Sequence, residues 1–573
     1  MSRLTYPSRR PFALALAGSL IATMAACAGP AVQGAPQSPS DTGDSTAAAT
    51  SAATSAATDG ETLATDFSWG VETEPASFNP FINSQDAATP ILRNLFDSYL
   101  FHDADGEYHP WLAESYEISD DSTTITVTLR TGITFSDGEV LDADAAVLNL
   151  TKTQDPAIVE STNWAVNLDR VEKVDDYTFA IVLTEPDVRI LERLSSLSGS
   201  PISPQDFDTD VDELKAGIGI HGTGPFTIDR YDKGEQLLLT AREDYAWAPE
   251  ILTERNGPAY IENLTFRFLT EASTRSGALQ SGQVDAIDSV PSQDAAIYSD
   301  TDTYRYVIEQ NAGTPYTLFF NVSRPPFDDV RVRRAIQKAI DLGTIVDAVY
   351  NGQASAAKSP LSPVTPFYDP AIESYLTPDV AEAAALLDEA GWTGRDDKGY
   401  RTNSDGERLA IPLFSNSRFV RDSRDILNQA IADAIKQALN IDYTWQSVDS
   451  GTWTERREAN DYVAWDNSLN SGDVASALAV QYNSDPAIGF INLGQIDDPH
   501  VDELLATGQQ NFDLDTRRSA YVEFQHYVLE EQAYVLPLYV LRNSYATTPE
   551  ITGFLFDPAT GNNWSSYNIT KPA

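Results

Sequence analysis

The chain has 573 residues, 38 of them basic and 85 acidic, for a formal net charge of −47, with 42% hydrophobic and 10% aromatic residues. So large an acidic excess disfavours binding of nucleic acid, or of an anionic membrane, through the folded part, and a chain of this length with ordinary globular composition calls for more than one lobe. A single cysteine excludes an intrachain disulfide.

The N-terminus carries Arg3, Arg9 and Arg10, then an apolar run from Pro11 to Met24, then Ala25, Ala26 and Cys27. A membrane-spanning helix needs about 20 apolar residues. This run is shorter and ends in small residues, so residues 1–26 are predicted to be a signal peptide. Its removal leaves 35 basic against 85 acidic residues, a charge of −50. Cys27 has no neighbouring base to activate its thiol, and the residues before it resemble the lipobox of bacterial lipoproteins, with Met24 where Leu is usual. Lipidation at Cys27 is therefore expected, and two acyl chains at about 0.8 kcal/mol per buried CH₂ anchor a protein stably. Residues 27–65 are predicted to be the lipidated cysteine and a disordered tether, because Ala, Ser, Thr, Gly, Pro and Asp cannot bury enough surface to fold. As a flexible coil the tether spans roughly 35 Å root-mean-square.

Alternation of apolar and polar residues predicts strands at Thr124–Leu129, Tyr177–Leu183 and Asn263–Phe268, and a hairpin from Pro225 to Thr240 about the Lys233-Gly234 turn. Helical spacing follows. Asp329 is predicted to cap a helix through Val332, Ala335, Ile336 and Ala339, and Thr377 with Pro378 to open one ended by Gly391. Asp425–Leu439 keeps an apolar stripe for four turns before Ile441, Tyr443 and Trp445 alternate as a strand. Helix and strand in succession predict an α/β lobe.

Catalytic and metal signatures are missing. No two of His102, His109, His221, His500 and His526 stand at i, i+3 or i, i+4, so no helical metal pair is predicted. No G-x-S-x-G, P-loop, G-x-G-x-x-G or H-E-x-x-H occurs. The Gly222-Thr-Gly-Pro-Phe226 segment superficially suggests a phosphate loop, but Pro225 removes a backbone donor and a strand follows. The expectation is a protein without cofactor, metal or catalytic residue, with a secreted hydrolase as the alternative class.

Several segments, in order, carry a family resemblance: Glu74-Pro-Ala-Ser-Phe-Asn-Pro80, Pro110-Trp-Leu-Ala-Glu-Ser115, Leu129-Arg130 through Phe135-Ser-Asp-Gly138, Gly222-Thr-Gly-Pro-Phe226, Ser281-Gly-Gln-Val-Asp285, Phe320 through Ile336, Ala383 through Trp392, and Asp515 through Leu538. The set resembles family 5, the peptide and nickel type, of the extracellular solute-binding proteins of ABC importers. The resemblance implies an α/β, two-lobed periplasmic-binding-protein type II-like fold with an extra α/β subdomain inserted in lobe I. Lobe I would take 66–98, 215–312 and 536–573, the inserted subdomain 99–214, and lobe II 313–535.

The implied function is capture of short peptides or similar polar solutes by lobe closure, outside the cytoplasm, with delivery to an ABC permease and ATPase complex. The protein would be a monomer held to the membrane by its lipid alone. A metal chelate, an opine or an oligosaccharide is the alternative solute. The family's pocket loop falls on Val463–Val474, and the aspartate that pairs with a peptide amine in many members falls on Asn470, with Asp466 and Asp473 as substitutes and Asn467 beside them. Trp453 and Trp465 are candidates for stacking on solute, Arg418 or Arg421 for its carboxylate, and Glu74 and Phe78 for the lobe I side.

Overall fold

The computed structural model describes residues 63–82, 86–155, 167–557, 561 and 563–573. Cys27, the signal peptide and the tether as far as residue 62 lie outside them.

The alternating segments form strands because each has one face to bury. Thr124–Leu129 turns Ile125, Val127 and Leu129 inward and sits in a four-stranded antiparallel sheet with Ala113–Ile118, Thr178–Leu183 and Leu168–Lys173. A seven-stranded sheet runs Arg305–Gln310, Arg542–Thr547, Ala286–Asp288, Asp66–Val71, Asn263–Phe268, Gln236–Ala241 and Phe226–Asp232, edge to edge. Within it Asp66–Val71 is parallel to both of its neighbours. These two sheets share one hydrophobic core, from Phe67 and Trp69 through Ile125 and Phe179 to Trp564 and Tyr567.

A second core encloses a five-stranded sheet in the order Asp442–Val448, Ala410–Asn416, Ala464–Asn470, Gly313–Phe320 and Val535–Tyr539. Ala410–Asn416 is parallel to both neighbours. Helix Arg424–Leu439 lays Leu427, Ile431 and Ile435 into that core and feeds the strand Asp442–Val448, as the sequence predicts.

Two adjacent chain crossings join the bodies. One passes from Gln310 to Gly313 and the other from Tyr539 to Arg542, and Asn311 N–H donates to Leu541 C=O at 2.9 Å between them. Gly313 is required there: its φ is +101°, and a Cβ would stand 2.3 Å from the Leu469 carbonyl oxygen.

Local capping departs from expectation once. Asp329 caps Val330–Lys338 by accepting from Arg331 N–H. The helix expected from Thr377 instead starts at Val380, where the Asp379 carboxylate accepts from Glu382 N–H at 2.8 Å and the Thr377 hydroxyl turns back to Ser374 C=O. A charged acceptor at the positive helix end is the stronger cap. The Gly222–Phe226 segment does enter a strand, and its glycines permit close approach: a Cβ on Gly224 would lie 2.4 Å from the Leu95 carbonyl carbon.

Candidate functional site

Open α/β sheets present their ligand sites beyond the carboxyl ends of parallel strands. In the second body those ends include Asn416 and Asn470. The loops that follow them reach the first body. Asp422 Oδ1 lies 3.7 Å from Arg542 Nη2, and Ser471 Oγ donates to Glu192 at 2.7 Å.

Side-chain parity organises the strand Ala464–Asn470. Asp466, Ser468 and Asn470 share one face, because strand side chains alternate. Asp466 lies furthest in, accepting from Tyr316 OH at 2.6 Å, Asn428 Nδ2 at 3.2 Å and Ser415 Oγ. Desolvation raises its carboxyl pKa against those hydrogen bonds. Asp466 is thus part of an internal network beneath helix Arg424–Leu439.

Ser468 and Asn470 lie nearer the strand end, where Ser468 meets Arg424. Its guanidinium stacks 4.2 Å over the Tyr316 ring and donates to Tyr539 OH at 3.0 Å, Phe419 C=O at 3.2 Å and Ser468 Oγ at 3.3 Å. Among the described residues this guanidinium, 4% exposed, has no carboxylate within ion-pair distance. Two consecutive left-handed residues, Asp422 (φ 50°) and Ser423 (φ 55°), deliver it. Such backbone in non-glycine residues concentrates at functional sites. Ser423 makes no side-chain cap, so the positive end of a 16-residue helix stands beside the guanidinium. The Asn470 Oδ1 atom is buried with no hydrogen-bond partner among the described residues. The lip formed by Arg424, Ser468 and Asn470 suits an anionic group with a hydrogen-bond donor close by.

Asp473 serves a different purpose. It caps helix Val474–Tyr482 through Ala475 N–H at 2.8 Å, and both its oxygens lie 2.7 Å from Arg517 Nη2. Tyr108 OH, from the first body, donates to it at 2.9 Å. Burial alone would raise its pKa, but the Arg517 charge, His102 and these hydrogen bonds outweigh burial and hold the carboxyl below its ordinary range.

The remaining candidates are dispersed. Trp465 is 1% exposed and meets Trp453 and Tyr462 edge-on inside the second core, with Trp453 at that core's margin. Asn467 lies on the same side of its strand as Trp465, opposite Asn470. Arg418 and Arg421 are exposed on the loop leading to Arg424. Glu74 Oε1 accepts from Tyr231 OH at 2.5 Å and Gly234 N–H at 2.6 Å, and Phe78 is fully buried 4.9 Å from the Tyr231 ring. Both brace the Lys233-Gly234 turn. Sequence reasoning missed Arg424, Ser468, Glu192 and Arg517. Only Arg424 carried a signal, as the third arginine in a seven-residue stretch of an acid-rich chain.

A family model described as "Bacterial extracellular solute-binding proteins, family 5 Middle" matches residues 107–486. The glutathione-binding protein GsiB of Salmonella paratyphi A is 25% identical over 504 residues, covering 87% of this chain and 93% of that protein. Among solved structures, NikA from Brucella suis in complex with Fe(III)-EDTA superposes with a TM-score of 0.77 at 24% identity, covering 88% of this chain and 99% of that one. The periplasmic binding protein DppA from Helicobacter pylori in complex with the peptide STSA gives 0.72 at 20% identity, covering 89% and 99%. At these identities the structural likeness establishes the fold, the α/β type II periplasmic-binding architecture expected from sequence.

Proposed function

Because the chain belongs to family 5 of the bacterial extracellular solute-binding proteins, we propose that it captures short peptides, or similar polar solutes bearing a carboxylate, for an ABC importer. The observation that carries this reading is the lip of Arg424, Ser468 and Asn470: a buried guanidinium with no carboxylate within ion-pair distance among the described residues, at the strand ends between two bodies joined by two crossings.

The solute's carboxylate binds Arg424 and the open end of helix Arg424–Leu439, and a donor group on the solute meets the Asn470 amide oxygen. Lobe I comprises 66–98, 215–312 and 542–573 with 99–214 inserted, and lobe II comprises 313–539; the boundary expected at 536 moves because the strand Val535–Tyr539 pairs with Gly313–Phe320 inside the second body. A solute favours their closure only through contacts with both lobes. The closed form is then read by the membrane permease, without any covalent step. Cys27 holds the monomeric receptor to the outer face of the membrane through lipid. A relative that binds glutathione and a neighbour holding a peptide support a peptide-like solute. The segment 440–499, which contains the pocket loop, has no histidine, and this disfavours a histidine-held metal chelate.

Thermal shift and calorimetry with glutathione, di- to pentapeptide pools, Fe(III)-EDTA, nickel with histidine, opines and oligosaccharides test the proposal. A solute at 100 times its dissociation constant adds about 2.7 kcal/mol of stability. Replacing Arg424→Gln should weaken capture about ten- to a hundredfold, since hydrogen bonds to charged groups contribute about 1.5–3 kcal/mol. Peptide silence alongside stabilisation by a sugar or chelate refutes the peptide reading.

A further inference from the structure

The seam between the two bodies, away from the crossings, is held by a carboxylate. Glu192, on helix Arg189–Ser195 of the first body, accepts from Ser471 Oγ at 2.7 Å and from Ser476 Oγ, both of the second body. Ser476 stands in the first turn of helix Val474–Tyr482, so Glu192 also faces a positive helix end. The same stretch of the first body continues along the seam: Val188 N–H donates to Gln509 C=O at 2.9 Å, and Gln510 Nε2 reaches Glu185 at 3.5 Å. These contacts join residues that separate when the lobes part.

Resting on the closure reading above, we propose that Glu192 is the bolt of an interlobe latch: its side chain, docked on Ser471 and Ser476, sets the balance between closed and open forms. It is a positioning residue and touches no solute.

The environment of Glu192 makes the latch sensitive to protons. Desolvation at the seam, followed by the nearby Asp473 charge, pushes its pKa up to about 7, against the two serine donors and Arg189. Arg189, about one turn before Glu192, is paired with Asp187 at 2.6 Å, and Arg193 is the next residue of the same helix. From the second body come Asp473, held by Arg517, and Tyr521. From the strand Tyr108–Pro110 comes Tyr108, with His102 stacked 4.4 Å behind it, its pKa lowered chiefly by burial. When the lobes part, Glu192 regains water and an ordinary carboxyl value, about 4.5. The closed form therefore binds the proton more tightly. Closure is favoured below the open-state value, and that advantage is lost as pH rises through about 7. Between those values the closed-to-open ratio changes by at most about tenfold per pH unit.

The test needs no solute, so it stands or falls separately from the peptide assignment. The full chain with Cys27→Ser has no other thiol, and Asp120→Cys with Ala487→Cys places one dye on each side of the seam at exposed positions. Fluorescence energy transfer between them, followed from pH 8.5 to 5, should report progressive closure as pH falls. Glu192→Gln keeps the hydrogen-bonding shape without the charge and should remain closed throughout, whereas Glu192→Ala should remain more open. A circular dichroism melt at each pH identifies any variant that has not folded, and the unmodified seam decides the matter alone. A wild-type signal flat in pH overturns the proposal. So does a Glu192→Gln chain that titrates as the wild type does.

Discussion

Replacing Arg517→Met breaks the buried ion pair that ties Asp473, just after the strand Ala464–Asn470, to the helix Leu514–His526. The guanidinium is 2% exposed, holds both oxygens of an equally buried Asp473, and stacks 5.0 Å over Phe367. Methionine keeps most of the volume, so the principal loss is electrostatic: Asp473 retains only Tyr108 OH and Ala475 N–H. Leaving a buried charge without its partner costs about 3–5 kcal/mol, about a fifth or more of a typical stability of roughly 5–15 kcal/mol. At about 2–4 °C per kcal/mol for a cooperative unit of 150–250 residues, the second body should melt roughly 6–20 °C lower. Differential scanning calorimetry of the full chain at pH 7.5 measures this. Adding Asp473→Asn removes the stranded charge while keeping a capping oxygen, so the double variant should recover most of the loss. The single variant should also recover partly in acid, as Asp473 takes up a proton. A single-variant loss below about 1 kcal/mol, or a double variant no better than the single, would refute the assignment.

Three further outcomes are expected. Trp465→Ala should cost about 3–5 kcal/mol of stability through the cavity it leaves, with solute affinity of the folded fraction unchanged; calorimetry showing lost affinity at unaltered melting temperature would return Trp465 to a stacking role. Asp97 and Asp288, like Glu192, are pushed up to about 7, chiefly by desolvation. Folded values above unfolded ones mean that their contribution is fully present below about pH 4 and is lost as pH rises through 7, so the melting temperature should climb from pH 8 to pH 5.5 and climb less in Asp97→Asn. For the anchor, Cys27→Ser should release the protein into the medium with solute binding intact, and its full retention on cells would count against lipidation.

What the sequence made legible follows from how far each signal reaches along the chain. Alternation in Thr124–Leu129 and the stripe of the helix Arg424–Leu439 are local consequences of one buried face, and both elements stand where periodicity put them. Parity along Asp466, Ser468 and Asn470 was likewise readable, since period two alone sets them on one face. Which of them meets solute was not, because Asp466 is taken by Tyr316 and Asn428, 150 and 38 residues away. The seam is more extreme: Glu192 and Ser471 are 279 residues apart, and Tyr108 and Asp473 are 365 apart.

The arginines show where the information lies in an acid-rich chain. With 85 acidic residues available, a carboxylate near any cation is expected and says little. A buried arginine with no carboxylate within ion-pair distance among the described residues stands out, with the charges of Asp422 and Asp466 acting on it only from farther away. Arg418, Arg421 and Arg424 look alike in sequence, yet the first two point into solvent while the third is buried on a tyrosine ring. The left-handed pair Asp422 and Ser423, which turns the chain just before Arg424, sets them apart, and neither residue announces that conformation as a glycine would. Which of the three guanidiniums is buried is therefore written in backbone geometry, and only the folded chain displays it.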